Sequence, residues 1–369
     1  MINKLVLENL RHRWVRTLLS ALVIGVQVMS ILTLIGLSNG LLQESATRQK
    51  GTGADIFLKP DNGGATISLG SAAQILESFV PFVAKQPHVT QALGVFSTSV
   101  ALLTTMSGVE IPELVRMSGG IRLVEGHLPS APNDLMVDQY YAQQDKIRVG
   151  QTLNLLNRNW RVSGIMEGGV LGRLIVPLRS MQQAMASLDP PRITQILVKL
   201  DNPALTDREV AHLNSVLKGN LRAMSMQAVL SQFNINNLPQ LKVFIRVITG
   251  LAVLVGFLVV FLSMYTAVVE RTREIGILKA LGAKPRTIVD ILVREALVLA
   301  MLGCVIGIAL SFAAKSIITA LKPASLQIVT VPEWWPLAAL IAISGALLGA
   351  LYPGLKAARQ DAIEALSYE

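Results

Sequence analysis

The sequence is short of charge, of aromatic side chains and of cysteine. Only 15% of its 369 residues are Asp, Glu, Lys or Arg, where an average soluble domain carries about 25%. With 51% hydrophobic residues, the composition excludes a disordered chain and argues against an ordinary soluble enzyme. Aromatics make up 5%, so the apolar excess is aliphatic. The lone Cys304 excludes an intramolecular disulfide and a multi-cysteine metal site. The four histidines (His12, His88, His127 and His212) form no i,i+4 pair and no H-E-x-x-H, which leaves a zinc hydrolase unsupported. No G-x-x-x-x-G-K-[ST] occurs, so no P-loop ATPase lies in these residues. The net charge of +9 gathers beside apolar runs and in one large domain, and nothing resembles a nucleic-acid footprint.

What is present is four uncharged apolar runs: Leu18–Leu37, Val247–Val269, Ala296–Ala314 and Trp334–Leu355. A bilayer-spanning helix needs about 20 such residues, and only a helix satisfies its own backbone there. We place spans at 18–40, 243–269, 296–315 and 334–355. The first is too long for a signal-peptide core and reads as an uncleaved anchor. Basic residues set orientation. Lys4, Arg11, Arg13 and Arg16 precede the first span; Arg271, Arg273, Lys279, Lys284, Arg286 and Arg294 lie between the second and third; Lys356 and Arg359 follow the fourth. The expected arrangement is a cytoplasmic amphipathic segment 1–17, an extracytoplasmic domain 41–242, a cytoplasmic loop 270–295, a short outer loop 316–333 and a cytoplasmic tail 356–369.

Within 41–242, Ala54–Lys59 reads as a strand. Ser71–Val83 carries apolar residues at helical spacing, and Val89–Thr105 is rich in β-branched residues. Arg148–Met166 alternates, Ile193–Leu200 is a further strand, and a helix follows from Asp207 to Leu217. These patterns predict an α+β domain with a smaller β-rich subdomain near 108–180. The fold class is therefore an α-helical membrane protein with four transmembrane helices and an α+β extracytoplasmic lobe.

Gly36-Leu37-Ser38-Asn39-Gly40 matches G-x-S-x-G. That motif works on a strand-to-helix turn, and here it closes an apolar helix, so no catalysis is assigned to Ser38. Gly303/Gly307 and Gly345/Gly349 are G-x-x-x-G pairs on the third and fourth spans. They predict close helix packing, either of those two helices together or at a subunit interface. Gln27 is the one strongly polar residue of the first span and is expected to bond across helices. No charge marks an ion path inside the spans. In the loop 270–295, Ile275, Leu278 and Leu281 fall on one helical stripe, Gly282 breaks that helix and Pro285 starts another. This short amphipathic helix suits either a solvated interfacial helix or one that docks on a partner.

The stretch Thr272–Ala283, T-R-E-I-G-I-L-K-A-L-G-A, resembles the loop after the second span in ABC transporter permeases of the MacB/FtsX/LolCE superfamily. It matches E-I-G-x-x-[KR]-A-x-G-A through Glu274, Ile275, Gly276, Lys279, Ala280, Gly282 and Ala283. Glu295, the basic entry Arg16-Thr17-Leu18, Leu123–Pro129 (with His127 where arginine is usual), Val149-Gly150 and Val162–Ile165 resemble further motifs. So does the tail Leu355–Glu369, where Ala362 replaces a usual proline. The resemblance implies a non-catalytic permease subunit with no cofactor of its own. ATP and Mg belong to a separate ABC ATPase, present in two copies. It implies a permease homodimer in the lipid of a bacterial inner membrane, with a periplasmic adaptor and an outer-membrane channel as further candidate partners. Arg271, Arg273, Glu274, Ile275, Gly276, Lys279, Ala280, Gly282 and Ala283 would form the ATPase-coupling surface. The expected function is relay of ATP-driven movement to the outer domain, exporting or extracting an amphiphilic substrate. The alternative is an FtsX-like regulator that activates a cell-wall hydrolase. A sensor would require a cytoplasmic output domain, and no cytoplasmic segment here is long enough to be one.

Overall fold

A computed structural model describes residues 8, 11, 14–61, 74–101, 104–187, 189–217, 219, 221–321 and 328–360. Along the chain the helices and strands are α1 Trp14–Lys50, β1 Ile56–Pro60, β2 Ile75–Leu76, α2 Phe79–Ala84, β3 Val89–Ala101, β4 Thr104–Val109, α3 Ile111–Ser118, β5 Leu123–Gly126, β6 Asp134–Asp138 and α4 Gln139–Asp145. There follow β7 Thr152–Leu155, β8 Arg158–Met166, β9 Leu174–Pro177, α5 Leu178–Ala184, β10 Arg192–Ile193, β11 Gln195–Leu200, α6 Thr206–Val216, β12 Leu221–Ser225, α7 Met226–Gln232, α8 Pro239–Glu270, α9 Thr272–Ala280, α10 Pro285–Leu321 and α11 Trp335–Arg359. The chain divides into two compact units: residues 1–39, 239–319 and 328–369, and residues 40–238 with 320–327.

The second unit is built on one mixed sheet in the order β12-β1-β11-β3-β4-β9-β6-β8-β5, with β7 also paired to β8. Side chains alternate across a strand, and here both faces are covered. Ile56 and Leu58 enter one core while Phe57 enters the other; Leu135 and Val137 are likewise divided from Met136, and Ile196 and Val198 from Leu197. Such strands read as unbroken apolar runs. Trp160 is fully buried, donates its indole N–H to the Leu155 carbonyl at 3.0 Å and lies under the Arg158 guanidinium. Asp138 caps α4 by accepting from the amides of Tyr140 and Tyr141 at 2.7 and 3.3 Å.

The region 108–180 is rich in strands, and they continue the same sheet. β4 pairs in parallel with β9 from Met106↔Leu174 to Val109↔Pro177, and that pairing joins it to the rest of the sheet. The helix expected over Ser71–Val83 is reduced to α2, with residues 71–73 outside the described set.

The first unit holds four long apolar helices, α1, α8, α10 and α11, each of a length and composition to cross a membrane. Two run well beyond the expected spans. α1 continues to Lys50, through the G-x-S-x-G, where the Ser38 hydroxyl donates to the Leu34 carbonyl at 2.8 Å. α10 begins at Pro285, so the expected second loop helix is its first turns. Within the chain the glycine pairs do not pack on each other. A Cβ built at Gly303 falls 2.6 Å from Ile24 Cβ, and one at Gly307 falls 2.6 Å from Val28 Cβ, both on α1. A Cβ at Gly349 falls 2.8 Å from the Phe257 carbonyl of α8, while Gly345 stands at ordinary contact distance from Val253. Two close helix pairs result, α1 with α10 and α8 with α11. Gln27 is buried where α1 meets α8 at Gly256, its Nε2 lacking a hydrogen-bond partner. Bonds from α1 to α8 lie at other levels, Ser20 to Ser263 at 2.8 Å and Arg16 to Glu270 at 3.0 Å.

Candidate coupling site

The connection between α8 and α10 is α9 and five further residues. Glycine fixes where α9 stops. Gly282 has φ +89°, its amide bonds the Lys279 carbonyl at 2.9 Å and the Ala283 amide bonds Leu278 at 3.0 Å. This is a Schellman ending. Pro285, with no N–H to satisfy, then opens α10.

The residues expected to form one coupling surface divide between two faces. Arg273, Glu274, Ala280 and Gly282 are exposed. Ile275 and Gly276 are buried, and Ala283 is half-buried. Arg271, expected on the coupling surface, does not lie on the open face. It sits at the start of α9, 8% exposed, with Nη1 3.5 Å from Oε2 of the fully buried Glu295. Removing one member of such a pair strands the other's charge, so Arg271 anchors α9 to α10. Lys279 is also only half-buried and donates to the Gln360 carbonyl beyond α11. The expected stripe of Ile275, Leu278 and Leu281 does not hold together either. α9 ends at Ala280, which leaves Leu281 80% exposed beside the exposed Ile277. Those two apolar side chains were absent from the expected site. Their signal is an apolar residue at a helix end next to charged neighbours.

Beside α9 lies a cleft of about 310 Å³, lined by Ala267, Val268, Ile275, Leu278, Ile288 and Leu292, with Arg271 and Glu295 in its wall and Glu274 and Ile277 also facing it. Among the described residues no cluster of three or more His, Cys, Asp or Glu is placed to hold a metal ion. The tail motif from Asp361 onward lies outside the described residues. The arrangement offers an anchored helix presenting both charges and two apolar side chains.

Residues 17–216 match the MacB-like periplasmic core domain family, and residues 246–362 match the FtsX-like permease C-terminal family. The chain is 23% identical to the ABC transporter permease YvrN of Bacillus subtilis (strain 168) over 397 residues, covering 96% of each chain. It is 21% identical to the macrolide export ATP-binding/permease protein MacB of Escherichia coli over 401 residues, covering 99% of this chain and 60% of that protein. Among solved structures, the periplasmic region of MacB from Actinobacillus actinomycetemcomitans aligns with 51% of this chain and 96% of its own, at 17% identity and a TM-score of 0.38. Four apolar helices, a lobe matching the MacB-like core and a permease domain carrying the anchored helix place this chain in the family of MacB/FtsX-type ABC transporter permeases.

Proposed function

We propose that this permease couples ATP hydrolysis by a separate ABC ATPase to movement of its extracytoplasmic lobe, and thereby exports or extracts an amphiphilic substrate. The observation that carries this reading is the division of α9. Its back is tied by Arg271 to the buried Glu295, and its front presents Arg273, Glu274, Ile277 and Leu281. A helix held rigidly behind and open in front suits transmission of a push, because an interface helix that yields would absorb it. These residues carry no P-loop, so the reading calls on an ABC ATPase outside them, in two copies against a permease homodimer. The basic flanks support an orientation with α9 and both ends of the chain on the cytoplasmic side of an inner membrane. Export is the activity in MacB's name, and the match to its core domain supports the same direction here.

Reconstitution in lipid with candidate ABC ATPases tests the reading. Arg273→Glu with Glu274→Lys should weaken ATPase association by about tenfold or more, or 1.4 kcal/mol, and remove permease-stimulated hydrolysis. Unchanged association and stimulation in that variant would refute the role of α9.

A further inference from the structure

A second buried charge cluster stands in the lobe, at the C-terminal end of α1, and coupling at α9 makes no use of it. Glu44 and Arg48 are one turn apart on the same helix face, and Arg48 Nη1 donates to Glu44 Oε1 at 2.7 Å. The same oxygen accepts from Arg173 Nη2 at 2.6 Å, from the segment leading into β9. The side chains are 14%, 11% and 2% exposed for Arg48, Glu44 and Arg173. Backbone contacts complete the seat. The Leu171 amide donates to the Arg48 carbonyl at 3.3 Å, and the Asp138 amide of β6 donates to the Arg173 carbonyl at 2.8 Å. Gly169 leaves room for the Arg48 stem, since a Cβ there would fall 2.3 Å from Arg48 Cδ. The last turns of α1 thus rest on residues 169–173, and those residues on the sheet.

This cluster is poorly suited to stability alone. Glu44 Oε2 and the Nε and Nη1 of Arg173 are buried with no hydrogen-bond partner. A buried ion pair with polar atoms left unmet recovers little of its desolvation cost, and apolar side chains of similar size would hold as well or better. What the charges add is exchange. Glu44 has two cations on one oxygen, one on its own helix and one on the lobe. If the helix end shifts, Glu44 keeps Arg48 while releasing Arg173, and no carboxylate is left alone.

We propose that Glu44 and Arg173 form a releasable latch that seats the C-terminal end of α1 on residues 169–173 and opens as a unit while the sheet core stays folded. Any part it plays in transport rests on the coupling reading above. The latch itself is read without an ATPase, so the two can fail separately.

Hydrogen exchange on the full chain in lipid nanodiscs provides the test. In the wild type, amides of 45–50 and 169–173 should exchange together, at least about tenfold faster than those of β3 and β11. Arg173→Met should speed both segments further. Glu44→Leu with Arg48→Met and Arg173→Met, an apolar triple that leaves no charge of the cluster stranded, should slow both toward the sheet by about tenfold. Should the single variant loosen the sheet as well, the apolar triple still decides the question. Wild-type exchange of both segments at the sheet's rate, or unchanged rates in the apolar triple, would overturn the latch.

Discussion

The two units of this chain sort their side chains in opposite ways. In the lobe the large side chains are inside: Trp160, Phe57, Phe96 and Leu93 are all buried. On α11 the buried positions are small, Ala338, Ala342, Gly345, Ala346, Gly349 and Ala350, while Leu337, Leu340, Leu348, Leu351 and Tyr352 face outward. Water explains the first arrangement, because burying large apolar area in the lobe is the main force that folds it. In a bilayer the surroundings are as apolar as leucine, so that force is missing between helices and close backbone approach takes its place. One sequence therefore follows two packing rules, divided by the medium each part is built for.

The comparison is broken most severely at Trp160. Trp160→Ala removes the largest buried side chain of the lobe and should cost about 3–5 kcal/mol, measured as a lower denaturant midpoint of the lobe transition with α-helical content of the membrane unit unchanged. A loss below about 1 kcal/mol would mean the lobe is not packed as a water-soluble core. Gly303→Leu should come next. The added side chain meets Ile24 on α1 and should cost about 1–3 kcal/mol by overpacking, seen as earlier thermal unfolding in detergent. Tolerance of leucine there would mean α1 and α10 do not touch at that level. Leu340→Ala, on the open side of α11, should stay within about 0.5 kcal/mol. A large loss in the same assay would show that this face meets protein and not lipid.

The smallest effect concerns acid. Burial works to raise the Asp134 carboxyl, but the amides of Ala131 and Ser130 at 2.8 and 2.9 Å and the Ser130 hydroxyl outweigh it and hold the group below its ordinary value. A depressed folded pKa contributes stability above the unfolded value, near 3.9, and loses it as pH falls through the folded value. Asp134→Asn should therefore flatten the fall in lobe stability below about pH 4. An identical fall in the variant would remove Asp134 from the account.

Much of the membrane unit was legible because bilayer crossing demands length and lack of charge, and both are local. The end of α9 was legible for a similar reason: Gly282 and Pro285 each act on their own backbone. The extension of α1 to Lys50 was hidden because Gly36, Ser38 and Gly40 imitate a helix exit, while Glu44 and Arg48 are polar residues that helices accept readily. Within the lobe, β6, β9 and β12 are four or five residues each, too short to show a period, and the parallel β4–β9 pair joins residues some 70 positions apart. The site divided in the same way. The charged, exposed residues of α9 could be read from their type. The burial of Arg271 could not, since it depends on Glu295, 24 residues further on. Nor could Glu44 and Arg173, which are 129 apart.

The central claim is that α9 faces the cell interior and carries the coupling surface. Leu281 is open and the chain's one natural cysteine is Cys304, so Leu281→Cys in a Cys304→Ala background gives a single probe. In oriented membrane vesicles a membrane-impermeant maleimide should label it only from the cytoplasmic side, and a bound ABC ATPase should block that labelling. Labelling from the outer side alone would contradict both the orientation and the coupling role.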